Sequence, residues 1–262
     1  MKQRWLFALC GVHAFFLIGC GGESEVSMPQ PDSAAFYDNA FRECGSGFTA
    51  VPADAMPLRS DYSVVIMGSS SAAGAGASHY ERSWAGLYTK KQQLSGNLVH
   101  NIARGGHTTY HALPDFCLVS AERFQPDPEH NLDQALLLEP DLVIISYPSN
   151  DAALGWSASE SLSNILLLRS LLYERGIASI VVGAQPRQLN AARVIELERL
   201  NAQLKTQLDH CLVDVYADLV LNDALDPSYD YGDGVHLNNA GHQRVFERLS
   251  ELVASERCVV AH

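Results

Sequence analysis

The chain has 262 residues, 47% of them hydrophobic and 18% charged. That is enough for one or two globular domains with a sizeable core, and the composition excludes a disordered, collagenous or coiled-coil chain. Eighteen Lys and Arg stand against thirty Asp and Glu, a formal charge of −12, so the basic footprint that a phosphate backbone requires is missing and nucleic acid is not expected as a partner.

The first element is apolar. Lys2 and Arg4 precede a run from Trp5 to Ile18, shorter than the roughly 20 residues that span a bilayer, which predicts an export signal over residues 1–19. Its end, Leu17-Ile18-Gly19-Cys20, resembles a bacterial lipobox. That resemblance implies that Cys20 is lipidated and anchors the mature protein to a membrane at the cell envelope; the alternative is an ordinary cleaved signal with a coincidental cysteine. Gly21, not Asp, follows Cys20, which for a lipoprotein of a Gram-negative host implies the outer membrane. Residues 20–35, rich in Gly, Glu, Ser and Pro, read as a flexible tether, and residues 36–262 as the folded domain.

From Tyr62 onward the text becomes regular. Apolar runs at Tyr62–Met67, Leu98–Ala103, Leu142–Tyr147, Ala178–Gly183 and Leu212–Tyr216 predict five buried strands. Val194, Leu197, Leu200, Leu204 and Leu208 recur at helical spacing, as do Leu162, Ile165, Leu166, Leu168 and Leu172. A further helix is expected from Ala240 to about Ala254, packing Val245, Phe246, Leu249 and Leu252, and a short one near Asn131–Glu139. Strands alternating with helices predict a parallel sheet covered on both faces. The long connection from Arg104 to Pro140 breaks this rhythm, and long connections inside a domain are usually functional.

Four cysteines remain beyond Cys10 and Cys20: Cys44, Cys117, Cys211 and Cys258. An even number in an exported chain suggests two disulfides with three alternative pairings, against buried free thiols. The helix ending near Asp209 and the last helix both run back toward the amino edge of the sheet, which favours Cys211 with Cys258 and leaves Cys44 with Cys117. No Cys/His spacing suggests zinc, and His107 with His111 lies among glycines and threonines that disfavour the helix such a pair needs.

In an open parallel sheet, sites form beyond the carboxyl ends of the strands. After the first strand comes Gly68-Ser69-Ser70-Ser71-Ala72-Ala73-Gly74. No Gly-Lys-Ser/Thr follows, and Gly74-Ala75-Gly76-Ala77-Ser78-His79 fails the dinucleotide pattern at its last glycine. The other use of such a turn is to present a serine hydroxyl at a helix start, where backbone N–H groups favour an oxyanion. Asp233-Gly234-Val235-His236 supplies a base with a carboxylate to hold its Nδ1–H. Asp151 reads as a cap of the following segment, and His242 as a structural hydrogen-bonder.

Together these residues resemble the GDSL or SGNH hydrolases, a family of esterases and lipases marked by four short blocks. Gly68-Ser69-Ser70-Ser71 with Gly74 matches the first block, Asn101 with Gly106 and Thr108 the second, Pro148-Ser149-Asn150-Asp151 the third, and Asp233 with His236 the last. Ser69, Ser71 and Pro148 depart from the family's residues, and a register slip would move the nucleophile to Ser69 or Ser71.

The resemblance implies a three-layer α/β/α flavodoxin-like fold with a parallel five-stranded sheet in the order 2-1-3-4-5. It implies a serine esterase with Ser70, Asp233 and His236 as catalytic residues, and an oxyanion hole from the N–H groups of Ser70 and Gly106 and the Asn150 amide. No metal or organic cofactor is expected. Polar groups from Arg104 to His111 favour a short-chain ester, an O-acetyl group on carbohydrate, as substrate. The alternatives are a lysophospholipase or thioesterase, and a non-catalytic surface lipoprotein that binds a glycan or a partner.

Overall fold

The computed structural model describes residue 51 and residues 55–261. The expected signal, the lipidation site Cys20, the tether and Cys44 lie outside the described residues. The described chain forms nine strands: β1 (Met56–Leu58), β2 (Ser63–Gly68), β3 (Leu98–Asn101), β4 (Leu142–Ser146), β5 (Ala178–Val182), β6 (Leu212–Val213), β7 (Val220–Leu221), β8 (Ala224–Leu225) and β9 (Val259–Ala261). Its helices are α1 (Ser70–Ala73), α2 (Trp84–Leu94), α3 (Leu132–Leu137), α4 (Asn150–Leu154), α5 (Ala158–Tyr173), α6 (Ala191–Leu208), α7 (Tyr216–Leu219) and α8 (Asn239–Ala254).

Five parallel strands make the central sheet in the order β3-β2-β4-β5-β6. Numbered among themselves they run 2-1-3-4-5, the order expected. β2, β4 and β5 are buried along their whole length because helices cover both faces, so their sequences are continuous apolar runs. The two-residue period of the strands sorts those runs into two cores. Val64, Ile66, Leu142, Ile144, Ile180 and Val182 face α2 and α8, packing with Trp84, Tyr88, Val245 and Leu249. Val65, Met67, Val143, Ile145 and Val181 face α5 and α6, packing with Ile165, Leu168, Leu200 and Leu204.

β3 and β6 end more than one residue short of their apolar runs. β3 stops at Asn101 because that side chain folds back to accept from the Ala103 N–H at 2.9 Å and to donate to Ala72 O at 2.8 Å. β6 stops at Val213, and Tyr216 opens α7 instead. Outside the sheet, β1 and β9 pair in parallel, held to the start of β6 by a disulfide between Cys211 and Cys258, the pairing expected. Cys117 is also disulfide-bonded. Its expected partner, Cys44, is outside the described residues. No helix among the described residues is long and apolar enough to cross a membrane.

Candidate active site

The carboxyl ends of β2, β4 and β5, with the segment before α8, converge on one surface. At the end of β2, Gly68 is required by space: a Cβ there would lie 2.6 Å from Ser146 O and 2.7 Å from the Ala72 Cβ. The chain then turns sharply into α1. Ser69 and Ser71 are buried, whereas Ser70 is half-buried and stands at the first position of that helix. A first-position N–H has no intrahelical acceptor and is available to a ligand. The serine that reaches a base is Ser70, whose Oγ lies 3.1 Å from His236 Nε2.

His236 is held from two sides. Its Nδ1 is 2.7 Å from Asp233 Oδ2, and its own N–H and that of Val235 donate to Asp233 Oδ1 at 2.8 and 2.9 Å. Partial burial would raise the Asp233 carboxyl, but the His236 ring and these two N–H groups outweigh it and hold it down at about 2. The carboxylate is therefore ionised at neutral pH, the ring proton sits on Nδ1, and the Nε2 lone pair faces Ser70. The loop after β5 pins this turn, with Gln185 Nε2 donating to Val235 O and Gln188 N–H to Gly234 O, each at 2.7 Å. Gly76 allows the loop after α1 to pass beneath it, since a Cβ there would stand 2.2 Å from Leu237 O and 2.9 Å from the His236 Cβ.

Gly106 and Asn150, the residues expected beside Ser70 as oxyanion donors, lie on the loop after β3 and at the start of α4. Gly105 stands over the serine, its would-be Cβ 3.9 Å from that of Ser70, and Gly106 follows at a φ of 83°. Asn150, the first residue of α4, donates from Nδ2 to His107 O at 2.8 Å and accepts at Oδ1 from Arg187 Nη1 at 3.0 Å. One amide hydrogen of Asn150 then remains for a substrate oxygen.

Asp151 is not a cap. It lies within the first turn of α4, buried, and accepts from the Thr109 N–H at 3.1 Å and from the Thr109 hydroxyl. Thr109 Oγ1 in turn accepts from Asn164 Nδ2 at 2.9 Å. The carboxylate thus ties the loop carrying Gly106 to the helix carrying Asn150, and burial raises its pKa to about 6. His107 and His111 stack with ring centroids 4.3 Å apart, and His107 Nε2 lies 3.2 Å from Asp127 Oδ2.

The model of the GDSL-like lipase/acylhydrolase family matches residues 66–244. The chain belongs to this family. Its fold is that of solved GDSL-like structures. A GDSL-like lipase of Bacteroides thetaiotaomicron is 20% identical over 85% of this chain and 97% of its own, with a TM-score of 0.52. A lipase/acylhydrolase of Enterococcus faecalis is 17% identical over 74% and 96%, with a TM-score of 0.54. A carbohydrate acetylesterase family member of Sinorhizobium meliloti is 20% identical over 75% and 99%, with a TM-score of 0.51. No curated protein matches the chain.

Within this GDSL framework the four blocks found in the sequence meet at one place. The residues that sequence reasoning missed are Gln185, Arg187 and Gln188, all just beyond β5. The signal was there, because the carboxyl ends of parallel strands face the site and these three polar residues directly follow an apolar run. His242, expected to be structural, is fully buried, accepting from the Trp84 N–H at 3.3 Å through Nδ1 with Nε2 3.0 Å from Ala75 O.

Proposed function

We propose that the protein is a serine esterase that hydrolyses short-chain carboxylic esters, with O-acetyl groups on carbohydrate as the favoured substrate, at the bacterial cell envelope. The observation that carries this reading is the unbroken hydrogen-bonded line from Ser70 Oγ through the His236 ring to Asp233, at 3.1 and 2.7 Å. In this mechanism His236 Nε2 takes the hydroxyl proton as Ser70 Oγ attacks the acyl carbon. The carbonyl oxygen becomes an oxyanion facing the N–H groups of Ser70 and Gly106 and the free hydrogen of Asn150. His236 then passes its proton to the departing alcohol, leaving an acyl-serine. Water, deprotonated by the same nitrogen, releases the acid and restores Ser70.

Short acyl chains are favoured because the groups along these loops are polar or backbone: Gly105 against the Ser70 side chain, and the His107 carbonyl and Arg187 on the Asn150 amide. A long chain needs a contiguous apolar groove worth roughly 0.8 kcal/mol per buried CH₂. The acetylesterase family membership of the S. meliloti structure fits a carbohydrate ester, and the negative charge of the chain disfavours acyl-CoA and bulk anionic lipid. The lipobox resemblance at Leu17–Cys20 supports anchorage through a lipidated Cys20. A fluorophosphonate probe should label the wild type at Ser70 and leave Ser70→Ala unlabelled. Across p-nitrophenyl acetate, butyrate, octanoate and palmitate, kcat/KM should fall with chain length; a steady rise beyond octanoate would move the assignment to a lipid ester.

A further inference from the structure

The Asn150 amide has a weakness as an oxyanion donor. Its two ends are nearly alike in shape, and a half-turn about the last bond would aim a carbonyl lone pair at the developing negative charge. Two contacts oppose that turn. One is the bond from Nδ2 to His107 O, and the other is the bond that Oδ1 accepts from Arg187 Nη1. Flipped, the amide would set N–H groups against a guanidinium and its carbonyl oxygen against the His107 carbonyl.

Arg187 is placed in an unusual way for an arginine. It is half-buried on the loop beyond β5, and among the described residues no carboxylate lies within ion-pair distance of it. Its Nε is buried with no hydrogen-bond partner. Burial pushes its pKa down, with the charge of Asp233 working in the opposite direction. A cation held partly out of water without a paired anion costs stability. Its side-chain hydrogen-bond partner among the described residues is the oxygen of Asn150. A cationic donor on Oδ1 also draws electron density through the amide, so the remaining Nδ2–H becomes a stronger donor in a chain of hydrogen bonds.

We propose that Arg187 is a positioning residue for the esterase reaction: it locks the Asn150 amide in its donor orientation and polarises it toward the oxyanion. The inference rests on the esterase reading of this site. Because it acts on a charge that exists only after attack, Arg187 affects kcat and leaves substrate affinity alone.

The test uses the purified full chain with p-nitrophenyl acetate. Arg187→Met should lower kcat about 10-fold, a part of what a whole oxyanion donor contributes, with KM unchanged, and Arg187→Lys should recover part of the loss. In an Asn150→Ala background, Arg187→Met should add no further loss, since the group it acts through is gone. The acid limb of the kcat/KM profile should stay in place. Independent losses from the two substitutions, an effect confined to KM, or a displaced acid limb would each overturn the proposal, the last by pointing to Asp233 and His236 instead. A second readout needs no turnover. The side-chain ¹⁵N–¹H pair of Asn150, assigned by its disappearance in Asn150→Ala, should move upfield in Arg187→Met. If the wild type hydrolyses no ester, the esterase reading falls by itself; amide resonances that do not respond to Arg187→Met overturn the role given to Arg187 whatever the substrate.

Discussion

Ser70 differs from Ser69 and Ser71 in what its hydroxyl can reach. The two neighbours are buried beside β2 and α1, while Ser70 is half-buried with its Oγ at His236. Ser70→Ala should therefore abolish ester hydrolysis and leave the melting temperature essentially unchanged. Asn150→Ala should lower kcat on the order of 10²-fold, the scale of one oxyanion donor, measured under saturating p-nitrophenyl acetate. Both residues were legible in the sequence because each is a chemically distinctive side chain at a strand end. The position of Arg187 beyond a strand was readable, but its role and the Asp151–Thr109 tie were not, since an arginine on a loop and an aspartate in a first helical turn have many uses. Only the fold puts Arg187 against an amide and Asp151 opposite Thr109, 42 positions away.

Element by element, legibility followed amphipathic contrast. α5, α6 and α8 repeat leucine and other aliphatics at helical spacing and were readable. α2 was not, because its buried positions Trp84, Tyr88 and Gln92 mix an indole, a phenol and an amide, with Gly86 among them. The three fall on one face by their four-residue spacing, but Gln92 is buried only because its Oε1 accepts from Tyr62 Oη and Asn97 Nδ2, each at 2.7 Å. Strands β1 and β9, three residues each, are too short to leave a periodic pattern. The start of α8 matters most for the site. Asn238 caps it, accepting from the N–H groups of Ala240 at 2.8 Å and Gly241 at 3.1 Å, while its Nδ2 donates to Ser228 O and Asp230 O. Asn238→Ala should cost about 1–2 kcal/mol in denaturant unfolding. Lying two residues past His236, it should also lower kcat by loosening the turn that carries the base.

For the molecule as a whole, the buried histidines set the response to acid. Burial lowers the pKa of His242 to about 4, and burial followed by the neighbouring His111 lowers that of His107 to about 4. Between that value and an unfolded value near 6.5, the unfolded chain carries protons at these rings that the folded chain does not. Stability is thus whole above about pH 6.5 and declines as pH falls toward 4. Asp151 works in the opposite sense. Its folded pKa, raised to about 6, adds stability as it protonates on acidification, as does that of Asp133, also raised by burial, whereas His111, lowered by burial, adds to the effect of His107 and His242. The net expectation is a melting temperature that drops between pH 6.5 and 4, and a shallower drop in His242→Gln. An unchanged slope in that variant would assign the acid response to other groups.

The small β1–β9 pair has a consequence for handling the protein. The Met56 N–H donates to Cys258 O at 3.0 Å, Cys258 is bonded to Cys211 just before β6, and Arg59 beyond β1 pairs with Asp141 just before β4. Both described ends of the chain are therefore side by side at one pole of the domain, and Ser70, Asn150 and His236 occupy the other. A tag, a carrier or a solid support attached just beyond β9 leaves the domain at the pole opposite the mouth that admits substrate. Such an immobilised enzyme should keep the kcat/KM of the free one, and its working face should point outward from whatever surface holds it.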